Sequence, residues 1–294
     1  MSLTVLRSFV EVCRCRSITA AARNLGLTQP AVSGHIATLE TQVGRELFTR
    51  RSRGVSPTAF AEDLAAQVGD SLDRAEEALA QAKARSASLS GVVHVAGPAE
   101  LLAERVAPSL RSLQASGLDI RLHPGGKSSI YQRLTAGEVD LAFTASDPGH
   151  PLIASQVIGS EKLLAVAAPG IADRINDARD LRAALLAEPM LAYDNDLPLI
   201  RDWLQANGIS ADGIVSAISA PDLRLLRALA ETGSGWSVIP DYLCSDALQS
   251  GRITLLRGVA DAPVNHFYLA WTRSSLRHPR VAFAREQLLR SLED

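Results

Sequence analysis

The stretch from residue 17 to residue 58 constrains the fold of this chain more than any other. Three consecutive alanines at 20–22 allow a neighbouring helix to approach closely, and Gly26 suits the left-handed residue that ends a helix. Thr28 can cap a second helix, in whose first turn Pro30 is tolerated because the backbone amides there lack partners anyway. The pattern predicts two short helices joined by a sharp turn, a helix-turn-helix.

The second helix combines an apolar stripe with a polar face. The stripe falls at i, i+4, i+7 and i+11 and is expected to face inward. It consists of Val32, Ile36, Leu39 and Val43. The other face is small or polar and can meet base edges in a DNA groove. It includes Gln29, Ser33, Gly34 and Thr38.

The charge of the chain is unevenly distributed. Residues 1–60 carry a net charge of +5, all of the basic residues being arginine, whereas the remaining residues carry −7. Three of these arginines follow the predicted helices, where a hairpin can reach the DNA backbone or minor groove. They are Arg50, Arg51 and Arg53. The alternative is that the helix pair is only a packing motif, but a basic module on an acidic body favours contact with phosphate.

Length and composition narrow the class of protein. A chain of 294 residues suffices for about two domains, and with 47% apolar but only 4% aromatic residues its core is expected to consist mainly of Leu, Ala and Val. The start lacks the pattern of a signal peptide, and the longest apolar run, at 163–168, is too short to span a membrane. Three cysteines and scattered histidines indicate neither a disulfide framework nor a metal site. We therefore expect a cytoplasmic protein with no cofactor, no metal and no membrane association.

A long helix is predicted after the hairpin, with Thr58 as its cap. Its apolar positions recur at steps of three and four, close to a heptad seam. They are Phe60, Leu64, Val68, Leu72, Ala75, Leu79 and Ala82. The stripe either packs on its own domain or pairs with a second copy of the chain, and we favour the dimer helix. Small residues at 86–91 end this helix.

From Gly91 onward strands and helices alternate in two series, the second beginning with a strand predicted at 163–167. Such alternation predicts α/β architecture with parallel sheets covered on both faces. Two series indicate two Rossmann-like lobes, with a ligand cleft at the carboxyl ends of their strands.

The chain resembles the LysR-type transcriptional regulators over essentially its whole length. The motifs that carry the resemblance are S-x-TAAA-x-x-L from Ser17, T-Q-P-A-V-S from Thr28, I-x-x-L-E from Ile36, G-x-x-L-F-x-R from Gly44, and P-T at 57–58. The resemblance implies a winged helix-turn-helix over 1–58, a dimerising linker helix over 59–88 and an effector-binding domain over 89–294, with two lobes like those of periplasmic binding proteins. Lobe I would comprise 91–160 plus 266–294, and lobe II 161–265. It also implies a homodimer or homotetramer.

The resemblance further implies double-stranded operator DNA as a partner. The residues matched to DNA contact are Thr28, Gln29, Pro30, Ser33, His35, Thr38, Arg50, Arg51 and Arg53. The chain departs from the family at Gly34, where arginine is frequent, so that His35 or Thr38 would take over the contact. His35 is equally compatible with a solvated surface position.

A small-molecule effector, such as a carboxylate or an amino acid, is expected between the lobes. The matching positions are Pro98, Glu100, Lys127, Ser128, Ser129, Thr144, Tyr193 and Asp222. Lys127 and Ser128 resemble part of an ATP-binding P-loop, but the first glycine of that motif is missing. Glu100 either selects a cationic or zwitterionic effector opposite Lys127 or is a solvated acid in the first turn of a helix, which we favour.

Two other classes of protein remain as alternatives. No nucleophile elbow, metalloprotease motif or dinucleotide-binding fingerprint occurs, so an enzyme is not predicted. A cytosolic solute-binding module would explain the lobes but not residues 1–88. An effector-independent DNA-binding protein would explain the helix-turn-helix but would not respond to a metabolite.

Overall fold

The structure is a computed structural model that describes residues 2–51, 54–86, 89–258 and 261–293. Its first part is a three-helix unit followed by a two-stranded hairpin, the wing. The elements are α1 (Leu3–Cys15), α2 (Ile18–Leu25), α3 (Gln29–Val43), β1 (Phe48–Arg51) and β2 (Gly54–Pro57). The helix-turn-helix predicted from the sequence is therefore present.

The ends of α2 and α3 are set by local interactions. Gly26 adopts a φ of 63° and ends α2, and Thr28 Oγ1 accepts a hydrogen bond of 3.3 Å from the Ala31 amide at the start of α3. A positive φ is a conformation that glycine adopts at little cost, and a threonine oxygen satisfies an amide that the helix leaves open.

The core of this first unit lies between the three helices. The α3 stripe is buried at Val32, Ile36 and Leu39, where it packs around Phe9 of α1, while Val43 is half-buried. Burial of these side chains holds α3 by one face and leaves its opposite face on the surface.

Helix α4 (Ala59–Ser86) is the predicted long helix, and the Thr58 side chain accepts a hydrogen bond from the Ala61 amide at its start. The predicted stripe divides between two environments. Within the chain, Leu72 is buried and Leu64 and Val68 are half-buried, but the other four positions are exposed. Those exposed positions are Phe60, Ala75, Leu79 and Ala82.

The rest of the described chain forms two α/β lobes. Lobe I is built first and is completed by the end of the chain. It contains β3 (Gly91–Gly97), α5 (Ala99–Leu101), a π-helical turn (Leu102–Val106), a 3₁₀ turn (Ala107–Ser109), α6 (Leu110–Ala115), β4 (Leu118–Pro124), α7 (Lys127–Ala136) and β5 (Leu141–Thr144). The long strand β6 (Ile153–Ala167) then leads into the second lobe.

The described part of lobe II contains short strands and five helices before the chain returns to lobe I. Its elements are α8 (Pro169–Asn176), α9 (Leu181–Ala187), β7 (Leu191–Ala192), α10 (Pro198–Ala206), β8 (Ile218–Ser219), α11 (Leu223–Glu231), β9 (Trp236–Pro240), α12 (Asp241–Gln249) and β10 (Thr254–Leu255). The return consists of β11 (Val264–Thr272), a 3₁₀ turn (Ser275–Arg277) and α13 (Pro279–Glu293).

The expectation of parallel sheets was only partly right. Strand β3 is parallel to β4 and β5, but β11 is antiparallel to β5 and β6, and β6 is antiparallel to β9 and β10. The reason is that β6 and β11 both cross between the lobes, in opposite directions. The first part of β6 pairs with β11, from Ile153 opposite Thr272 to Lys162 opposite Val264, and its last part pairs with β9. The two lobes thus share two continuous strands, β6 and β11. Each lobe has its own apolar core.

Candidate DNA-binding and inter-lobe sites

The surface of α3 opposite its buried stripe is polar and open. Gln29, Pro30 and Ser33 are all exposed. Apart from the neighbouring backbone of α3 itself, no described atom lies within 4 Å of the position that a Cβ on Gly34 would occupy, so this face leaves room for another surface to approach closely. A solvent-facing row of this kind at the N-terminal end of a second helix has the geometry with which a helix-turn-helix enters a major groove.

Two of the predicted contact residues are engaged within the protein. The His35 Nδ1 atom lies 2.7 Å from the Oγ atom of buried Ser8 in α1, and the His35 side chain is half-buried. The alternative of a solvated His35 was therefore wrong. Thr38 is exposed, but its hydroxyl donates a hydrogen bond of 2.8 Å to the Gly34 carbonyl, one turn earlier in the helix.

The wing is anchored to the helical unit by contacts that the sequence interpretation missed. The Val55 amide donates to the Arg16 carbonyl at 3.1 Å, and a Cβ on Gly54 would lie only 2.6 Å from that same oxygen. On the other strand, Glu40 Oε1 accepts hydrogen bonds from the amides of Leu47, at 2.8 Å, and Phe48, at 3.4 Å. A glycine directly after the arginine-rich stretch 50–53 was the available sequence signal for the tight turn.

These hydrogen bonds fix the position of the wing, whose strand β1 contains Arg50 and Arg51. Arg51 is exposed and its backbone is paired with Gly54, while the backbone of Arg50 is paired with Val55. The third predicted arginine, Arg53, lies outside the described residues.

In lobe I, the predicted effector residues cluster at one edge of the sheet, where the parallel strands β3, β4 and β5 end. The Gly125 amide donates to the Gly97 carbonyl at 3.0 Å, which holds the loops after β3 and β4 together. Half-buried Pro98 follows β3, and buried Thr144 ends β5 and donates to the Ser146 carbonyl at 2.9 Å. The start of α7 contributes three exposed side chains. They are Lys127, Ser128 and Ser129.

Glu100 is not the solvated acid that the sequence interpretation favoured. Its side chain is buried, with 3% of its surface exposed, and its Oε2 atom has no hydrogen-bond partner among the residues that the structure describes. Burial raises the pKa of this carboxyl above its usual range, and Asp222 of lobe II raises it further while Arg224 lowers it. Lys127, expected to lie opposite, instead has its Nζ atom 6.0 Å from the centroid of the Tyr131 ring.

In lobe II, Asp222 and Tyr193 lie at the ends of neighbouring strands. Asp222 caps α11 by accepting a hydrogen bond of 2.9 Å from the Arg224 amide, and its Oδ2 atom pairs with the Arg224 guanidinium at 2.7 Å. This pairing lowers the pKa of Asp222. Burial, together with the charges of Glu100 and Asp222, raises the pKa of half-buried Tyr193 to about 12, so its phenol stays protonated. The structure therefore brings together Glu100, Tyr193 and Asp222 across the lobes.

The crossover strands add a second buried acid that the sequence interpretation missed. Glu161 of β6 is 4% exposed and accepts a hydrogen bond of 2.8 Å from Asn265 of β11. Burial raises its pKa to about 7, although the hydrogen bond from Asn265 acts in the opposite direction. The available signal in the sequence was the charged pair Glu161–Lys162 before the apolar run 163–168. The polarity of the preceding segment concealed the first part of β6.

Neither a metal centre nor a membrane span was found. Within the described residues, no three His, Cys, Asp or Glu side chains are grouped so that they could hold a metal ion. In the same part of the chain, no helix combines the length and apolar character that crossing a membrane requires.

A winged helix-turn-helix joined by a long helix to a two-lobed α/β domain defines a DNA-binding regulator with a separate second domain. Residues 3–62 match the family of bacterial regulatory helix-turn-helix proteins of the lysR type, and residues 86–293 match the LysR substrate binding domain. The chain belongs to the LysR family of transcriptional regulators, as its motifs predicted.

Individual relatives agree with this assignment over the full length of the chain. The HTH-type transcriptional regulator AbaB of Streptomyces antibioticus is 35% identical over 294 residues, which cover 98% of this chain and 97% of the relative. Among solved structures, the LysR-type regulator CrgA of Neisseria meningitidis superposes with a TM-score of 0.60 at 18% identity and covers all of both chains. LysG of Corynebacterium glutamicum, solved with its effector Arg bound, superposes with a TM-score of 0.57 at 20% identity, over 97% of this chain and 99% of LysG. These likenesses confirm the α/β fold with its winged helix-turn-helix.

Proposed function

We propose that this chain regulates transcription by binding double-stranded operator DNA through α3 and the wing, and that a small molecule held between the lobes modulates that binding. The observation that carries the proposal is the open, polar face of α3, next to an arginine-bearing hairpin, on the basic end of an acidic chain. The protein then acts as a regulator rather than an enzyme, as its relatives are named, and works in the cytoplasm, where the operator is.

In this proposal the contacts have two roles. Gln29, Pro30 and Ser33 meet base edges, and Thr28 sits at the end of the helix that enters the groove. The wing arginines contact phosphates or the minor groove. Because Thr38 and His35 already bond within the protein, their share in DNA contact is expected to be smaller than that of Ser33.

The proposed effector site lies where the two lobes face each other. Lobe I contributes the ends of β3 and β5 and the start of α7, and lobe II contributes Tyr193 and Asp222. A relative of the same fold, LysG, was solved with arginine as its effector. A ligand that touches both lobes can change their relative orientation, because its binding energy differs between the open and closed arrangements.

The DNA-binding part is tested with the full-length protein. A duplex is first selected from a random library, and its affinity is then measured by fluorescence anisotropy for the wild type, Ser33→Ala and Thr41→Ala. Ser33→Ala is expected to weaken specific binding by about 5- to 100-fold, equivalent to ~1–3 kcal/mol for a base contact. Thr41→Ala, an exposed change on the same helix, is expected to leave it unchanged.

The outcome also separates the alternative functions. No preference for any duplex over random DNA would contradict the proposal and leave a solute-binding module. A specific duplex whose affinity no added metabolite alters would instead support effector-independent binding. Equal losses in Ser33→Ala and Thr41→Ala would remove the assignment of base contact to Ser33.

A further inference from the structure

Glu100 is the one buried carboxylate in the inter-lobe site with an oxygen for which the described residues offer no hydrogen bond. Its Oε2 atom has no partner among the described residues, and the backbone amide of Glu100 acts on the carboxyl group only in the direction that lowers its pKa. A buried polar atom without a partner costs free energy, and a buried negative charge costs more. Such an atom in a proposed ligand site indicates that its partner belongs to the ligand.

The described cation whose charge acts on Glu100 already has a partner. Arg224, whose charge acts on Glu100, is bonded twice to Asp222, at 2.7 and 3.1 Å. The buried Glu161 lies near the same region, since it and Glu100 each raise the pKa of Tyr242. Acidic groups therefore dominate the space between Glu100 and lobe II.

The arginine on the lobe I side is also engaged. The guanidinium of Arg105 lies 4.6 Å from the centroid of the Tyr242 ring and 5.9 Å from that of Phe267. The guanidinium is thus held over two aromatic rings, and its charge acts on Glu161. The unmet electrostatic requirement of the site is therefore a positive charge.

We propose that the effector of this regulator carries a protonated amine or guanidinium group, and that Glu100 is its counterion. This inference rests on the proposed function, since it names the chemistry of the same site. A cationic N–H donor supplies both the missing hydrogen bond to Oε2 and the missing charge, and bonds between two ionised groups are the stronger ones. Because only 3% of Glu100 is exposed, entry of this ligand requires the lobes to move apart and close again.

Calorimetric and thermal-shift titrations of the full-length protein test the inference. The amine probes are L-arginine, L-lysine, agmatine and putrescine, which separate amino acids from amines that lack a carboxylate. The comparison probes are succinate, benzoate and glucose. At least one amine probe is expected to raise the midpoint of thermal unfolding, because a ligand at 100 times its Kd adds about 2.7 kcal/mol to the folded state.

Three variants assign the effect to the charge of Glu100. Glu100→Gln is expected to weaken binding of the amine probe at least tenfold, and Glu100→Asp, which keeps the charge, less than Glu100→Gln. Glu104→Gln changes an exposed acid one turn away and is expected to bind like the wild type. Affinity for the amine is also expected to fall as the pH is lowered and Glu100 takes up a proton, a pH dependence that Glu100→Gln lacks.

The results distinguish this inference from the proposed function. If only the carboxylates or glucose bind, or if Glu100→Gln binds the amine as tightly as the wild type, the inference is wrong while an effector-responsive regulator remains. If no probe binds and none alters DNA affinity, both the inference about Glu100 and the proposed response to an effector are contradicted. Circular dichroism of each variant establishes that a loss of binding is not a loss of folding.

Discussion

Glu161 lies between the two crossover strands, and its burial is expected to make the stability of the protein depend on pH. Its carboxyl group is buried between the crossover strands β6 and β11, and burial raises its pKa to about 7 from an ordinary value of 4.5. Between these two values the folded protein keeps the proton that the unfolded chain releases. The folded state thus binds more protons in this window, so the free energy of unfolding falls as the pH rises through it.

Replacing this carboxyl by its neutral analogue removes the dependence. Glu161→Gln is expected to raise the free energy of unfolding at pH 8 relative to the wild type, by up to ~3 kcal/mol, because each unit of pKa shift corresponds to about 1.4 kcal/mol. Below pH 4.5 the two proteins are expected to be equally stable. Urea denaturation at a series of pH values between 4 and 8 measures the difference.

An exposed glutamate provides the control for this series. Glu138, whose side chain is 61% exposed and lies 3.3 Å from Arg133, is expected to tolerate Glu138→Gln with no change in the slope of stability against pH. If the free energy of unfolding changes with pH at the same rate in the wild type and in Glu161→Gln, Glu161 is ionised in the folded protein at neutral pH. That result would contradict this interpretation.

Single residues also show what local patterns can predict. Gly26, Thr28 and Thr58 were assigned to helix ends from the sequence, and all three occupy those ends. Caps and left-handed turns depend on neighbours within three or four residues, so the printed sequence contains their cause. Glu100 is buried in the folded chain and is acted on by Asp222 of lobe II, far along the chain, whereas the sequence interpretation favoured exposure.

At the scale of elements, α4 has a face that the rest of its own chain does not cover. Ala75 and Leu79 are exposed on it, Leu79 with 57% of its surface, whereas Leu72 on another face is buried against the same protein. Apolar residues recurring along one open face of a long helix favour association with a second copy. The division of the predicted stripe into an internal and an open part was not visible in the sequence, because both parts are equally apolar.

A charge on the open face is expected to disrupt that association. Leu79→Glu should shift the protein from a dimer or tetramer towards the 31.3 kDa chain at micromolar concentration, since two carboxylates would be brought together in an apolar interface. Light scattering coupled to size-exclusion chromatography measures the mass. Leu225→Glu on α11, which is 51% exposed in the wild type, is the matched control and is expected to leave the mass unchanged.

The result for Leu79→Glu bears directly on the role of α4. A mass equal to that of the wild type would place the interface elsewhere on the molecule. A monomeric wild type would contradict the assignment of α4 as a dimer helix altogether.

Strand β6 shows the limit of pattern reading at this scale. Its last five residues were predicted as a strand because they are apolar. Its first ten were not predicted, because the apolar residues among them are interrupted by polar ones, and most of the ten are exposed or half-buried in the structure. Nine of those ten residues pair with β11, Ile158 being left out at a β-bulge. The pairing is made by backbone hydrogen bonds, which do not depend on an apolar side chain. The partner strand, β11, is identified only in the folded structure.

At the scale of the whole molecule, lobe I is attached to the first domain by an ion-pair cluster. The cluster joins arginines of the C-terminal segment to acids of α4 and α1. Its members are Arg273, Arg277, Arg285, Asp70, Asp73, Glu76, Glu77 and Glu11. Arg277 is central, because its Nε atom lies 2.6 Å from Glu76 and its guanidinium also reaches Glu11 at 3.6 Å.

The contact around this cluster is polar and loosely packed. Cavities of about 790 and 360 Å³ lie beside it, the first between α1, α4 and the loop at His150 and the second beneath Arg273 and Arg285. Because the acids Glu11 and Glu76 are largely buried, removal of Arg277 takes an ion pair from each of them and leaves Glu76 paired with Arg7 alone. The attachment of lobe I therefore depends on charge more than on apolar packing.

Arg277→Ala is expected to loosen this attachment. The loss of a half-buried ion pair is expected to cost about 3 kcal/mol and to let the second domain move relative to α4. Small-angle X-ray scattering should then give a larger radius of gyration, and proteolysis near residues 86–91 should accelerate. Arg290→Ala removes an exposed pair with Glu286 on α13 and is expected to change neither quantity.

Unchanged scattering and proteolysis in Arg277→Ala would show that the remaining pairs and the chain connection suffice to hold the domains together. An equal effect of Arg290→Ala would indicate a general consequence of lowering the positive charge.

The sequence by itself determined the helix-turn-helix, the wing, the long helix and membership of the LysR family, because each depends on residues close together in the chain. The tertiary structure decided which acids are buried, which half of the α4 stripe stays open and where lobe I attaches. The pair Arg277 and Glu76 is separated by 201 residues, and Glu161 and Asn265 by 104. Burial and ion pairing depend on distances in space rather than on distances along the sequence. They can be identified only once the folded chain has brought these residues together.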